Sequence, residues 1–184
     1  MYKDLNELQL AARCRDKDNG AAEELYRRYA ARLFTLCRRY CSTSADAEDL
    51  MQDAFIKALD KIGSFKYMGV GSLPAWISRI AINLALGNMR KQRREITSGS
   101  ETLPDDLPEP DNDAVAAIPQ EKLLEMIATL PETRRAVFNM YCIDGFSHRE
   151  IGKMLGISEK GSASVLAKAR AQLKKEIYRY LNEE

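Results

Sequence analysis

The stretch FSHREIGKMLGIS, Phe146 to Ser158, decides the fold. Ser147-His-Arg-Glu150 has the S-x-x-E spacing of a capping box, in which the serine and the glutamate each satisfy a free amide of the first helical turn. The helix it announces is short, because Leu155-Gly156 supplies a residue that enters the left-handed region without strain. Ser158 then caps a long helix running to about Tyr180. A short capped helix, a tight turn and a second helix form the helix-turn-helix layout, with Ile151, Leu155, Ile157, Val165 and Leu166 as its small core.

Helical spacing continues outward from this motif. Upstream, Gln120–Leu130 reads as a short helix. Pro131 opens the next, with Val137, Phe138 and Tyr141 inward, and Asp144-Gly145 marks a turn. In the first half, Leu5, Leu8 and Ala12 share one helix face. Leu25, Tyr29, Leu33, Leu36 and Tyr40 form a second stripe, and Leu50, Ala54, Ala58 and Ile62 a third. A fourth helix starts near Pro74, a favourable first-turn residue, with Ile77, Ile80, Ala81 and Leu84 inward. No segment alternates with period two, so the expected fold class is all-α.

Between Glu95 and Gln120 the chain has seven acidic residues, no Lys or Arg, and four of its six prolines. Basic residues resume on both sides. Residues 1–94 carry a net charge of +6, residues 95–118 of −7 and residues 119–184 of +2, so the overall +1 hides a strong partition. This predicts two small helical domains, 1–94 and 119–184, joined by a flexible acidic linker, 95–118. Each half is near the lower size limit for a self-sufficient core, and docking on a larger partner helps both.

Three constellations carry functional signal. In the helix-turn-helix, Ser147 and Arg149 flank the first helix, and the second presents Ser158, Lys160, Ser162, Ser164, Lys168 and Arg170. In such motifs the start of the second helix enters the major groove while Lys and Arg bind phosphate. A plain helical hairpin with solvated charges is the competing reading. The second constellation places Arg79, Asn83, Leu86 and Arg90 on one outward face, followed by Arg90-Lys91-Gln92-Arg93-Arg94 and preceded by a glycine-rich loop with Phe65 and Tyr67. Asn and Arg beside aromatic residues suit base-edge contact and stacking on unpaired bases; a solvated helix end is the alternative. The third is the acidic helix side Asp46, Asp49 and Asp53. A carboxylate metal site there lacks a loop to wrap a cation. An acidic face repels DNA, so it meets a protein partner or water.

Other classes have little to stand on. Cys14, Cys37, Cys41 and Cys142 make no C-x-x-C, and the lone histidine, His148, is far from the first three, so no metal or cofactor is expected and the thiols read as reduced and at least half-buried. No nucleophile–base pair suggests an enzyme. The polar N-terminus and the lack of a long apolar run predict a soluble, cytoplasmic protein without a membrane span.

The ordered series D-A-E-D-L-M-Q-D-A-F, G-S-L-P-A-W-I-S-R-I-A-I-N, R-K-Q-R-R, L-P-E-T-R-R-A-V-F and G-F-S-H-R-E-I-G-K-M-L-G-I-S resembles the extracytoplasmic-function (ECF) group of bacterial sigma factors over nearly the whole chain. The resemblance implies a subunit that binds core RNA polymerase and directs promoter-specific initiation, with catalysis left to the polymerase. Domain 1–94 would be region 2 and domain 119–184 region 4. Asp46, Asp49, Gln52, Asp53 and Phe55 would dock on the β′ clamp, and the β flap is a further implied contact. The loop Phe65 to Ser72, with Trp76, Arg79, Asn83, Arg90, Lys91, Arg93 and Arg94, would open and read the −10 element. The helix from Ser158 to Arg170 would read the −35 element. The linker would thread toward the RNA exit path, and its acids would also be able to fold back on the Arg90–Arg94 cluster. An anti-sigma factor is a further partner the resemblance allows. The chain departs from the family pattern at Gly87, where Asp is frequent, and at Ala163 and Val165, where a Lys and a polar contact are frequent. The competing arrangement is a stand-alone helix-turn-helix regulator with a sensory N-terminal half.

Overall fold

The computed structural model describes residues 2–93, 108 and 110–182. Every regular element among the described residues is helical, in agreement with the all-α expectation. The chain divides into two compact units, Met1–Gly87 and Asn88–Glu184. Arg94 and the linker through residue 107 lie outside the described residues, and with them the expected threading and fold-back of the linker.

The first unit is built from α1 (Glu7–Arg15), α2 (Asn19–Tyr40), α3 (Ser44–Lys61), a 3-10 turn (Ile62–Ser64) and α4 (Ser72–Arg93), which runs on past the unit's last residue. Side-chain caps set three of the starts. Asn6 and Gln9 form a capping box on α1, Asp18 accepts from the Gly20 and Ala21 amides, and Thr43 accepts from the Asp46 amide. Each such cap stabilises its helix by about 1 kcal/mol. Leu25, Leu33, Leu36 and Tyr40 of α2 are buried, as are Leu50, Ala54 and Ala58 of α3 and Ile62 beyond it, as the periodicity predicts, while Tyr29 of the same α2 stripe is half-buried.

Two stripes differ from expectation. On α1 the buried residues are Leu10, Ala11 and Cys14, whereas Leu8 is 51% exposed and Ala12 is also exposed. The cap at Asn6 fixes the start of the helix, and its phase follows from that start. On α4 the buried set is Leu73, Ile77, Ala81, Ile82, Ala85 and Leu86, and Ile80 and Leu84 are half-buried. Leu86 therefore faces the core and not the outward face with Arg79 and Asn83.

Polar contacts tie the N-terminal segment to α2. Arg28 donates to the carbonyls of Leu5 (2.6 Å), Tyr2 (2.8 Å) and Lys3 (2.9 Å). Buried Glu24 accepts from Arg27 and Arg28 at 2.6 to 2.7 Å, and these charge-assisted bonds, Arg27 first, hold its carboxyl down to about 2. The Tyr2 hydroxyl donates to Asp18 at 2.9 Å.

The second unit contains α5 (Asn112–Ala116), α6 (Gln120–Ala128), α7 (Glu132–Phe138), a π turn (Asn139–Ile143), α8 (His148–Leu155) and α9 (Glu159–Asn182). Met126, Leu130, Ala169 and Leu173 form one core, with Leu123, Ile127, Phe138, Ile177 and Tyr180 packed around it. The expected linker ends in structure: α5 and the buried Ile118 both fall within residues 95–118.

Candidate nucleic-acid interface

Region by region, the sequence places its signals on surfaces of very different build. On α3, Asp46, Asp49, Gln52 and Asp53 are all exposed along one side. Phe55 is not available to a partner. It is 5% exposed, and its ring packs on Tyr26 at 4.9 Å between centroids. The apolar groups on the outside are Ile56, 61% exposed, and Tyr26 itself, which sequence reasoning missed. Ile56 lies three residues beyond Asp53 and so shares its face. Its spacing was the available signal.

The loop between the 3-10 turn and α4 is anchored at its start by Phe65, buried against Trp76 with ring centroids 5.5 Å apart. Phe65 is thus a support, not a stacking platform, while Trp76 remains half-buried and Tyr67 exposed. The loop's tip shows Met68 and Val70, 88% and 96% exposed. Sequence reasoning passed over both, because apolar residues in a loop carry no periodic signal. Gly69 and Gly71 adopt φ of 111° and 90°, which keeps the turn tight. The Ser72 hydroxyl accepts from the Met68 amide at 3.3 Å. The Glu7 carboxylate of α1 accepts from the amides of Gly71 (2.7 Å) and Leu73 (2.9 Å), closing the start of α4. Along α4, Arg79 and Asn83 are exposed and the same stripe continues to Gly87, where an added Cβ would meet nothing within 4 Å. Arg90, Lys91 and Arg93 lie in the last turn of this helix.

In the second unit the helix-turn-helix forms as its sequence announces. Ser147 and Glu150 make the capping box, and Gly156 closes α8 with φ 71° and ψ 35°. Ile151 and Leu166 are buried, while Leu155, Ile157 and Val165 are half-buried. Gly152 is decisive and was missed. A Cβ there would lie 2.7 Å from the Ile157 carbonyl, so the turn before α9 packs on α8 as it does only without a side chain at this position. Its own carbonyl accepts from the Ile157 amide at 3.0 Å.

Of the expected contact residues, Arg149, Ser158, Lys160, Ser164 and Arg170 are exposed, with Ala163 beside them, and Lys168 is half-buried. Ser162 is a correction. It is fully buried and shares a 2.9 Å hydrogen bond with His148 Nδ1. The helical phase that exposes Lys160, Ser164 and Ala163 turns Ser162 toward α8. His148 in turn stacks on Tyr141, with ring centroids 4.3 Å apart, and Tyr141 is 39% exposed instead of inward. The hydroxyls of Ser147 and Ser158 serve the caps of α8 and α9. Arg170 donates to the Cys142 sulfur at 3.7 Å. Among the described residues no three acidic, His or Cys side chains are grouped to hold a metal, and no helix is long and apolar enough to cross a membrane.

Two known families match the chain in order: Sigma-70 region 2 over residues 25–95, which runs past the last residue of the first unit, and Sigma-70, region 4 over residues 120–173, within the second. The ECF RNA polymerase sigma factor SigM of Mycobacterium tuberculosis is 33% identical over 168 residues, 90% of this chain and 81% of that one. The chain belongs to the ECF family of RNA polymerase sigma factors. SigW of Bacillus subtilis is 29% identical to this sigma factor, with 87% and 90% of the two chains covered. Among solved structures, the sigma factor RpoE in complex with the anti-sigma factor NepR from Bartonella quintana superposes with a TM-score of 0.54 at 23% identity, over 85% of this chain and 96% of that one. CnrH, in complex with the cytosolic domain of CnrY, gives 0.51 at 23% identity, over 92% and 96%. At such identity these two show a shared fold. A stand-alone regulator is not favoured, because a region 2 precedes the helix-turn-helix in the same chain.

Proposed function

We propose that this sigma factor binds core RNA polymerase through the exposed side of α3, opens the −10 element with the loop 65–71 and α4, and reads the −35 element with α9. The observation that carries the reading is the ordered match of region 2 and region 4 along the chain. Asp46, Asp49, Gln52 and Asp53, with Ile56 beyond them, make an acidic face with an apolar end, suited to a basic protein partner and unsuited to DNA. Met68, Val70 and Tyr67 at the tip of a glycine-held loop suit an unpaired base, whose unstacking costs a few kcal/mol that apolar and stacking contacts must return. Arg79 and Asn83 follow that loop on α4, and the sequence then supplies four more cations for phosphate in Arg90, Lys91, Arg93 and Arg94.

On α9, Lys160, Ser164, Lys168 and Arg170 are the groove and phosphate contacts, with Arg149 from α8. Neither half needs tight binding alone, because the tether and the polymerase raise the effective concentration of the second contact. The domains are 1–94 and 119–184, with 95–118 as the acidic connection. The phosphodiester chemistry is the polymerase's, so this chain is not an enzyme, and its place of action is the cytoplasm. An anti-sigma factor is a further partner, by analogy with the complexes of RpoE and CnrH.

Run-off transcription with purified core polymerase tests the reading, on a promoter found by sequencing the transcripts that rise when the protein is overproduced. Promoter-dependent initiation is expected. Its absence, together with failure to co-purify with core enzyme, would sink the proposal. Asp53→Arg should lower core association at least about tenfold by like-charge repulsion at the interface, with unchanged circular dichroism.

A further inference from the structure

We propose that Glu7 is a positioning residue for promoter opening: its carboxylate fixes the loop 65–71 that displays Met68 and Val70. The inference rests on the proposed role of that loop at the −10 element. Glu7 lies on the first turn of α1, outside the region 2 match, and 64 residues from Gly71.

The other anchors of the loop are local. Phe65 seats its start against Trp76, the Ser72 hydroxyl takes the Met68 amide, and the Ser72 amide donates to the Gly69 carbonyl at 3.2 Å. Glu7 supplies the long-range tether, with one carboxylate oxygen on each of two amides. Gly69 and Gly71 sit at φ of 111° and 90°, a backbone with many alternatives, so the displayed conformation depends on such bonds. An almost fully exposed Met68 and Val70 gain nothing from folding. Holding them still lowers the ordering cost when a base arrives, which is what a pre-organised reading head needs. The carboxylate also belongs to the α1–α2–α4 junction, since its charge is one of the causes, after burial, that push the Tyr29 phenol up.

Glu7→Gln keeps the shape but turns one acceptor into a donor facing an amide. Expected for this variant are faster hydrogen exchange at Gly71 and Leu73, unchanged binding to core polymerase, and open complexes reduced about tenfold, the order of a lost charge-assisted bond. Discrimination against substitutions in the −10 element should weaken in the same experiment. Unchanged exchange, or faster exchange with unchanged promoter opening, would overturn the inference. So would a parallel loss of core binding and thermal midpoint, which marks a merely structural role. If Glu7→Gln does not fold, Glu7→Asp, too short to reach both amides, is read in the same way. Failure of the wild-type protein to initiate at all strikes the proposed function, whereas the exchange measurement judges the tether without polymerase.

Discussion

The loop at residues 65–71 shows apolar side chains to solvent and is held by charge, whereas the α8–α9 pair shows polar side chains and is held by close contact. Met68 and Val70 stand out on a frame closed by the Glu7 carboxylate. Arg149, Lys160 and Ser164 stand out on a frame closed by Gly152, Gly156 and the buried Ser162–His148 bond. The difference suits the two tasks proposed for them. A flipped base needs an apolar or aromatic seat, and a duplex groove needs donors and cations at a fixed height. It also means that the two frames should fail under different insults.

Gly152→Ala should have the largest effect. The new Cβ meets the Ile157 carbonyl, an atom of the backbone, so the turn must open. The expected loss is about 1–3 kcal/mol of stability in the second unit, read as a lower thermal midpoint, with weaker −35 binding and undisturbed core association. A variant that melts and binds like the wild type would show that the turn backbone at Ile157 does not press on this position.

Acid should act on the other half. The Glu24 carboxyl lies at about 2 in the folded chain against 4.5 for an ordinary glutamate. The unfolded state therefore binds more protons through this window, and the stability the group contributes is complete above pH 4.5 and is lost as pH falls toward 2. Asp18, also lowered, chiefly by the Tyr2 hydroxyl, adds to the same trend. Glu24→Gln should flatten the acid limb of the stability curve; an unchanged limb would remove the Arg27–Glu24–Arg28 cluster from the account. Ser162→Ala should cost about 1 kcal/mol, the usual scale of one hydrogen bond, and leave DNA affinity unchanged after correction for folding. A specific loss of −35 recognition would return Ser162 to the contact surface. The smallest effect is expected at Gly87→Ala, which should stabilise the first unit by about 0.5–1 kcal/mol, because the position is helical and open. Differential scanning calorimetry resolves that gain, and a loss would reveal strain in α4.

Much of this architecture was legible in the sequence, for reasons specific to each element. The side chains of Ser147 and Glu150 accept from each other's amides and Gly156 acts through its own backbone, so three or four neighbouring residues suffice to read them. The α3 acids obey helical spacing and are exposed accordingly. What escaped depends on partners remote in the chain. Glu7 looks like any first-turn acid until Gly71 and Leu73 arrive beside it. Gly152 looks like a mild helix weakener until the Ile157 carbonyl fills the space beside it. Helix phase places Phe55 and Ser162 inside, and Phe65, ahead of α4, is buried against Trp76. Leu86 shows the same limit: Arg79 and Asn83 define an outward stripe, but a step of three in place of four crosses from surface to core.

The cysteines give the molecule a chemical address. Burial pushes the Cys14 and Cys37 thiols up to about 11 and about 12, which leaves almost no thiolate at neutral pH. Cys41 is half-buried, and Cys142 alone of the four is exposed, beside Arg170. A maleimide dye added briefly at neutral pH should therefore mark Cys142 first. It would place a fluorescent reporter at the edge of the helix pair proposed to meet the upstream promoter element, with no residue of the native chain replaced.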